Sequence, residues 1–362
     1  MTSFADTRFS NRRRALAAAL AGQRIDSMLI THLTHVRFLS NFSGSNAALL
    51  VNKDLSATIC TDGRYTTQIA EEVPDVEALI ERNSAATLLS TVKGPRRVGY
   101  EASYVTVEQL GKLQEAAGED VTLVPITGVI EELRLTKDAV SLQRLREVAA
   151  LATSCLEQVI KGELKGRTER DVAAELEYLM RKAGAERPSF DTIIASGPNS
   201  AKPHHGAGDR VIQEGDFVTI DFGAHDRGFN SDMTRTFVIG EPSEKHKEIY
   251  ELVQKAQAAG VAAAVPGTKL VDVDKACRDI IEAGGYGEYF VHSTGHGLGL
   301  DVHEAPYAAV SGTGELAPGM TLTIEPGIYV PGFGGVRIED SLIITDGAPE
   351  VITIMSTDLI VL

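Results

Sequence analysis

The segment GRTERDVAAELEYLMRKAG at 166–184 returns as GTKLVDVDKACRDIIEAGG at 267–285. Both copies open on Gly, reach Asp-Val five residues later and close on Ala-Gly, with one residue of slippage. Val172, Leu176, Leu179 and Met180 in the first copy match Val273, Cys277, Ile280 and Ile281 in the second. Each set follows the i, i+4, i+7, i+8 rule of a helix buried on one face. Strand-like stretches and a Gly-rich segment carrying histidine follow each copy. A duplicated unit of this kind predicts two related half-domains of helices and strands facing each other around a cleft, an α+β fold with an internal pseudo-twofold repeat.

The first third of the chain has a different grammar. SMLIT, AALLV, SATIC, RRVGY and VTLVP read as strands, and residues 65–73 and 106–117 read as helices between them, the signature of an α/β layer. Thr106, with Gln109 three residues on, has the pattern of a capping box. Residues 128–163 read as a connector and a long helix with Leu142, Leu145, Val148 and Ala149 on one stripe. At 362 residues and 43% hydrophobic content the chain is long enough for two cores. The expected division is 1–130 and 131–362.

Charge and composition exclude several functions. A net charge of −15 argues against nucleic acid, whose phosphates require clustered cations. The one dense basic run, Arg12, Arg13 and Arg14, is expected to be a solvated helix face. No apolar run approaches the ~20 residues that span a bilayer, and MTSFADTRFS lacks the apolar core of a signal peptide, so the cytoplasm is the expected location. Three separated cysteines suggest neither a disulfide framework nor a metal site, and Cys277 on its apolar stripe reads as a small core residue. GHGLGL lacks the spacing of a dinucleotide loop.

Five potential metal ligands occur in order: Asp221 in IDFGA, Asp232 in NSDMTRT, His296 in TGHGLG, Glu325 in TIEPG and Glu339 in VRIED. Four carboxylates and one imidazole are hard donors that suit Mn²⁺, Mg²⁺ or Co²⁺ better than a thiolate zinc site. Brought together they would repel unless cations neutralised them. Val218, Ile220 and Phe222 alternate with Thr219 and Asp221, which turns Asp221 away from its apolar neighbours. A hairpin through HDRGFN would set Asp221 beside Asp232, and a second would set Glu325 beside Glu339. His296 is expected to enter from a loop in which Gly295, Gly297 and Gly299 permit close backbone approach.

In order and spacing, with gaps of 11, 64, 29 and 14 residues, these stretches resemble the metallopeptidases of the pita-bread fold: aminopeptidase P, prolidase and methionine aminopeptidase. The short last gap resembles the proline-specific branch. FLSNFSGSNAALL and TDGRY resemble the creatinase-like N-terminal domain, which methionine aminopeptidases lack. The resemblance implies two divalent ions, Mn²⁺ above Co²⁺ or Zn²⁺. Asp221 would bind one bidentately, Asp232 and Glu339 would bridge both, and His296 and Glu325 would complete the second. It also implies Glu325 as general base, His204 and His303 as donors to the scissile carbonyl or its oxyanion, and His292 lining the substrate site. Arg337 would orient a bridging carboxylate and Tyr329 would support the ligands. His205 and His225 receive no role. A homodimer is implied as well.

Retention of all five ligands sets the chain apart from creatinase and from non-catalytic pita-bread peptide-binding modules. Two substrate readings remain. Some relatives place an arginine four residues beyond the histidine matching His303, where it can clamp a carboxylate. This chain has Tyr307 there, so the expected activity is that of an Xaa-Pro aminopeptidase on peptides with proline second, the alternative being an Xaa-Pro dipeptidase.

Overall fold

The computed structural model describes residues 7–362. The opening stretch judged for a leader falls mostly on residues 1–6, outside the described residues. The chain divides into two compact units, one running to Arg134 and the other spanning Leu135–Leu362. No helix among the described residues is long and apolar enough to cross a membrane.

In the first unit, β1 (Ser27–Ile30), β2 (Ala47–Asn52), β3 (Ala57–Thr61), β4 (Glu77–Ile80), β5 (Arg96–Glu101) and β6 (Val121–Ile126) form one sheet in the order β4-β3-β2-β1-β5-β6. It is mixed: β1–β2 and β2–β3 are antiparallel and the other pairs parallel. Around it lie α1 (Arg8–Ala21), α2 (Leu33–Ser40), α3 (Thr66–Glu72), α4 (Ser84–Thr91) and α5 (Val107–Ala116). The capping box at α5 forms as expected, Thr106 Oγ1 accepting from Gln109 N at 3.2 Å and Gln109 Oε1 from Thr106 N at 2.8 Å. The basic run corrects its reading. Arg13 is buried, donates to Leu39 O at 2.8 Å and pairs with Asp75, while Arg12 donates to Phe38 O at 2.9 Å. These guanidiniums satisfy carbonyls of α2 rather than water, and of the run only Arg14 stays exposed.

The second unit realises the duplication. After α6 (Val129–Leu135), helices α7 (Ala139–Val159) and α8 (Glu169–Lys182) cover β8 (Ile193–Ser196), β9 (Phe217–Phe222) and β12 (Met233–Val238). Short strands β7 (Arg187–Pro188), β10 (Ala224–Asp226) and β11 (Phe229–Asn230) form a side sheet. HDRGFN is itself a tight hairpin here, with Arg227 and Gly228 both at positive φ, the pattern of a type I′ turn. In the second copy, α9 (Glu244–Ala263) and α10 (Leu270–Ala283) cover β15 (Thr321–Ile324) and β18 (Asp340–Ile343), beside the pairs β13 (Gly295–Gly297)–β14 (Glu304–Ala308) and β16 (Gly327–Val330)–β17 (Gly334–Arg337). Val172, Leu176 and Met180 are buried on α8, and Val273, Cys277 and Ile281 on α10. Leu179 and Ile280 are half-buried at matching places.

Cys60, Cys155 and Cys277 are all buried, and desolvation raises each thiol, Cys277 to about 12. A thiol must ionise to attack a disulfide. Native protein is therefore expected to react negligibly with a disulfide dye at pH 8 and to titrate three thiols only when denatured; fast native labelling would contradict this packing.

Candidate metal centre

Asp221 sits on β9 between its register partners, Ile193 on β8 and Thr234 on β12. Directly opposed residues in antiparallel strands share a face. Ile193, Asp221 and Thr234 therefore point together to the cleft side, and Thr219 and Thr236 continue that face with hydroxyls 3.1 Å apart. Val218, Ile220 and Phe222 point the other way, into the core with α7 and α8. Asp232 immediately precedes β12, its carbonyl accepting from Ser341 Oγ at 2.7 Å.

Glu325 and Glu339 come together through two nested ladders. The register pairs Ile324 with Asp340 in the outer one and Gly327 with Arg337 in the inner one. Glu325 and Glu339 face each other in the break between them. Pro326 cannot donate a ladder bond, which accounts for a break at that point. Glu339 is tied to the first hairpin by its N–H donating to Thr234 O at 3.1 Å and by Thr234 Oγ1 donating to Glu339 Oε2 at 2.7 Å. His296 departs from expectation in its element: it lies on strand β13, with Tyr307 of β14 as register partner. The glycines act as anticipated. A Cβ on Gly295 would fall 1.7 Å from Thr323 O, and one on Gly297 would fall 2.2 Å from Ala305 O.

All five expected ligands converge. Asp221, Asp232 and Glu339 offer oxygens within 4.8 Å of one another, and so do the ligand atoms of His296, Glu325 and Glu339. His303 joins Asp232 and His296 in a third such group, with its ring 4.3 Å from that of His296. The five line a cleft of about 440 Å³ together with His204, His292, His303, Tyr307 and Arg337. Tyr329, also anticipated, lies behind the cleft wall. Phe190, Asp191, Ile193 and Ser293 line it without having been anticipated, since neither residue type nor spacing set them apart in the sequence.

Four carboxylates this close create an electrostatic problem. At about 4 Å and an effective dielectric of about 20, each like-charged pair costs on the order of 4 kcal/mol. Desolvation, then the charge of Asp221, drives Asp232 well above the usual carboxylate range. Desolvation, then Asp232, does the same to Glu339, and desolvation raises Asp221 despite the charge of Arg337. Glu325 goes the other way: burial pushes it up, but the hydrogen bond and charge of His296 outweigh that and hold it at about 2. Burial pulls His296 down, while Glu325 and Asp232 raise it to about 9. Its Nδ1 donates to Gly297 O at 3.0 Å, so Nε2 is the atom turned to Glu325 at 3.3 Å and Asp232 at 3.6 Å.

These residues fit divalent cations. Asp221 Oδ1 and Glu339 Oε1 are buried side-chain oxygens that accept no hydrogen bond, an expensive condition for a carboxylate unless a cation neutralises it. The donor set is oxygen-rich, as hard divalent cations prefer.

Support comes from a chain of hydrogen bonds. Arg337 donates to Asp221 Oδ2 at 2.6 Å, to Tyr329 OH at 2.7 Å and to Thr234 Oγ1 at 3.1 Å. Arg337 thus grips Asp221 rather than Asp232 or Glu339, which corrects the expectation of a bridging carboxylate as its partner. The reason is register, because β17 lays Arg337 against β9. His292 Nδ1 donates to Ser293 O at 2.8 Å, since a carbonyl can only accept, and Nε2 therefore accepts from Tyr329 OH at 2.8 Å. Behind Glu339, the buried Arg235 donates to Glu339 O at 2.6 Å and to Asp340 Oδ1 at 2.7 Å. The arginine of NSDMTRT was visible in the sequence but carried no sign of its direction. His205 and His225, given no role, bond to Glu169 and Asn230.

Raised carboxylates and a protonated His296 must lose protons to coordinate metal. Mn²⁺ binding to metal-free protein at pH 7 is expected to release about one proton or more per molecule, read by calorimetry in buffers of different ionisation enthalpy. A binding enthalpy that does not change between buffers would contradict this electrostatic picture.

Comparison with known proteins agrees with this geometry. Residues 143–346 match metallopeptidase family M24, and residues 12–136 match the creatinase/prolidase N-terminal domain. The Xaa-Pro dipeptidase of Pyrococcus horikoshii is 38% identical over 93% of this chain and 95% of its own length. The structure of an Xaa-Pro dipeptidase from Bacillus anthracis superposes with a TM-score of 0.94 at 40% identity, covering 98% of this chain and 100% of that one. An X-Pro aminopeptidase from Thermotoga maritima gives 0.88 at 32% identity, covering 98% and 99%. The chain belongs to metallopeptidase family M24 and carries a creatinase/prolidase-type N-terminal domain.

Proposed function

We propose that this protein is a metal-dependent Xaa-Pro dipeptidase, hydrolysing the bond between a first residue and a following proline. The observation that carries it is a five-ligand cleft in a chain to which two Xaa-Pro dipeptidases, at 38% and 40% identity, are similar along nearly the full length. This revises the preference for an aminopeptidase drawn from Tyr307. The tyrosine lines the cleft, yet it excludes no dipeptide. It keeps the aminopeptidase as second reading, because Arg337, the one arginine or lysine among the lining residues, is already engaged with Asp221 and Tyr329. The same proposal assigns 1–130 to the creatinase-like domain and 131–362 to the catalytic domain, and includes a homodimer in the cytoplasm and Mn²⁺ as the resident ion, with Co²⁺ or Zn²⁺ as substitutes.

Asp221, Asp232, His296, Glu325 and Glu339 would hold two divalent ions, which when bound polarise the carbonyl and lower the pKa of water. The remaining steps belong to side chains. Glu325 accepts the proton of the attacking water and returns it to the proline nitrogen as the C–N bond breaks. His303, pulled below its ordinary pKa chiefly by desolvation, donates an N–H to the carbonyl oxygen as negative charge grows there. His204 is a second donor to that oxygen. An Xaa-Pro bond has no N–H and a fixed φ, so the site cannot grip the substrate through that donor. Phe190, Ile193 and Tyr307 supply apolar surface for the ring.

Prolonged chelation is expected to abolish Xaa-Pro hydrolysis and Mn²⁺ or Co²⁺ to restore it; full activity in metal-free protein would refute the metal requirement. Glu325→Gln should lose most activity. His204→Ala should keep its metal and slow turnover by roughly 10²-fold or more, and loss of metal with specific activity intact on reconstitution would refute the assignment of that histidine. The ratio of kcat/KM for an Xaa-Pro dipeptide to that for the matching Xaa-Pro-Xaa tripeptide decides substrate length. A dipeptidase favours the former strongly, and a preference for the tripeptide returns the aminopeptidase.

A further inference from the structure

Glu169 opens α8 and is 0% exposed. An uncompensated carboxylate there would be strongly destabilising, and the compensation comes from one direction. Oε1 accepts from Ser196 N at 2.9 Å, Ser196 Oγ at 2.7 Å and Asn199 Nδ2 at 3.0 Å. Oε2 accepts from His205 Nε2 at 2.8 Å and Gly208 N at 3.1 Å. Burial raises the carboxyl, but these bonds outweigh it and hold Glu169 below its ordinary value. All five donors belong to residues 196–208, the segment that carries His204. With His205 drawn back onto Glu169, His204 lines the metal-centre cleft and His205 does not. Glu169 itself is absent from the cleft wall.

The second copy of the repeat does something similar. Asp274 on α10 is 1% exposed and accepts from Thr294 N at 3.1 Å and Thr294 Oγ1 at 2.9 Å. Its partner Arg278 donates to Phe290 O at 3.1 Å and His292 O at 3.0 Å. Each repeat helix therefore spends one buried carboxylate on the segment that presents a cleft histidine.

We propose that Glu169 is a positioning residue for His204, acting through His205 and the backbone of 196–208. The inference rests on the role of His204 proposed above. Misplacement of a hydrogen-bond donor by about 1 Å can cost on the order of 10²-fold in rate, so a clamp remote from substrate has kinetic weight. Glu169→Gln keeps the shape and removes the charge that five donors share.

The test compares Glu169→Gln, His205→Gln, His204→Ala and the double variant Glu169→Gln/His204→Ala for metal content, thermal stability, KM and kcat on an Xaa-Pro dipeptide. Glu169→Gln is expected to lower kcat by about 10–100-fold, with metal content and KM near those of the parent. His205→Gln should show part of that loss. In the His204→Ala background Glu169→Gln should add nothing, a coupling that general destabilisation would not produce. Wild-type kcat in Glu169→Gln, or an undiminished further loss on top of His204→Ala, overturns the proposal while leaving the metal centre reading intact. If Glu169→Gln does not fold, His205→Gln alone and the double variant His205→Gln/His204→Ala decide: a loss in the former that is absent in the latter supports the clamp, and full kcat in His205→Gln or an undiminished further loss in the double variant overturns it. Full activity of His204→Ala would instead overturn the underlying role of His204, and the clamp with it.

Discussion

Gathering four carboxylates into one cleft, three of them buried, is the condition to which the rest of the catalytic unit answers. Water would screen such a cluster, but Asp221, Asp232 and Glu339 lie at 9% exposure or less. Their repulsion falls short of disrupting the fold because each is held from behind: Asp221 by Arg337, the backbone at Asp232 by Ser341, Glu339 by Thr234 and its backbone by Arg235. What these donors leave unsatisfied, Asp221 Oδ1 and Glu339 Oε1, is what a divalent cation would satisfy. Affinity for metal and strain in the metal-free protein are thus two sides of one arrangement.

The duplicated architecture supplies the rigidity that this arrangement needs. Helix pairs α7–α8 and α9–α10 each cover one hairpin system, and the two systems meet at the bridge between Thr234 and Glu339. The strands that carry ligands are buried on both faces, apolar toward the helices and threonine-rich toward the cleft. Thr219, Thr234, Thr236, Thr321 and Thr323 can form hydrogen bonds in this dry interior without adding charge, which is why the polar face can be buried at all. Carboxylates sent out from α8 and α10 then tie down the irregular segments that the sheets do not reach.

Much of this was legible in the residues. The repeat was visible as two apolar stripes in register, because a helix buried on one face must show period 3.6. The N-terminal α/β sheet was visible in five of its six strands. Its fourth, Glu77–Ile80, was not, being a partly exposed edge whose residues need no apolar alternation. The five ligands stood out because hard-donor side chains in short Gly- and Thr-rich strands have few other uses, and strand alternation was enough to turn Asp221 away from the core.

Direction and partnership were settled only by the tertiary structure. Arg13 looked like part of a solvated basic run until α1 packed on α2, and Arg337 could not be matched to Asp221 until β17 lay against β9. His296 was read as a loop residue because a three-residue strand, Gly-His-Gly, carries too little local preference to register as one, and β14 has to be present to pair with it. Glu169 gave no sign at all, since a glutamate at the start of a helix ordinarily faces water. The sequence by itself determined the repeat, the two fold classes and the chemistry of the ligands, all of which depend on residue type and local period. Which guanidinium meets which carboxylate, and which histidine turns to the cleft, depends on contacts between residues 36 to 116 positions apart, and those exist only once the helices and strands have packed.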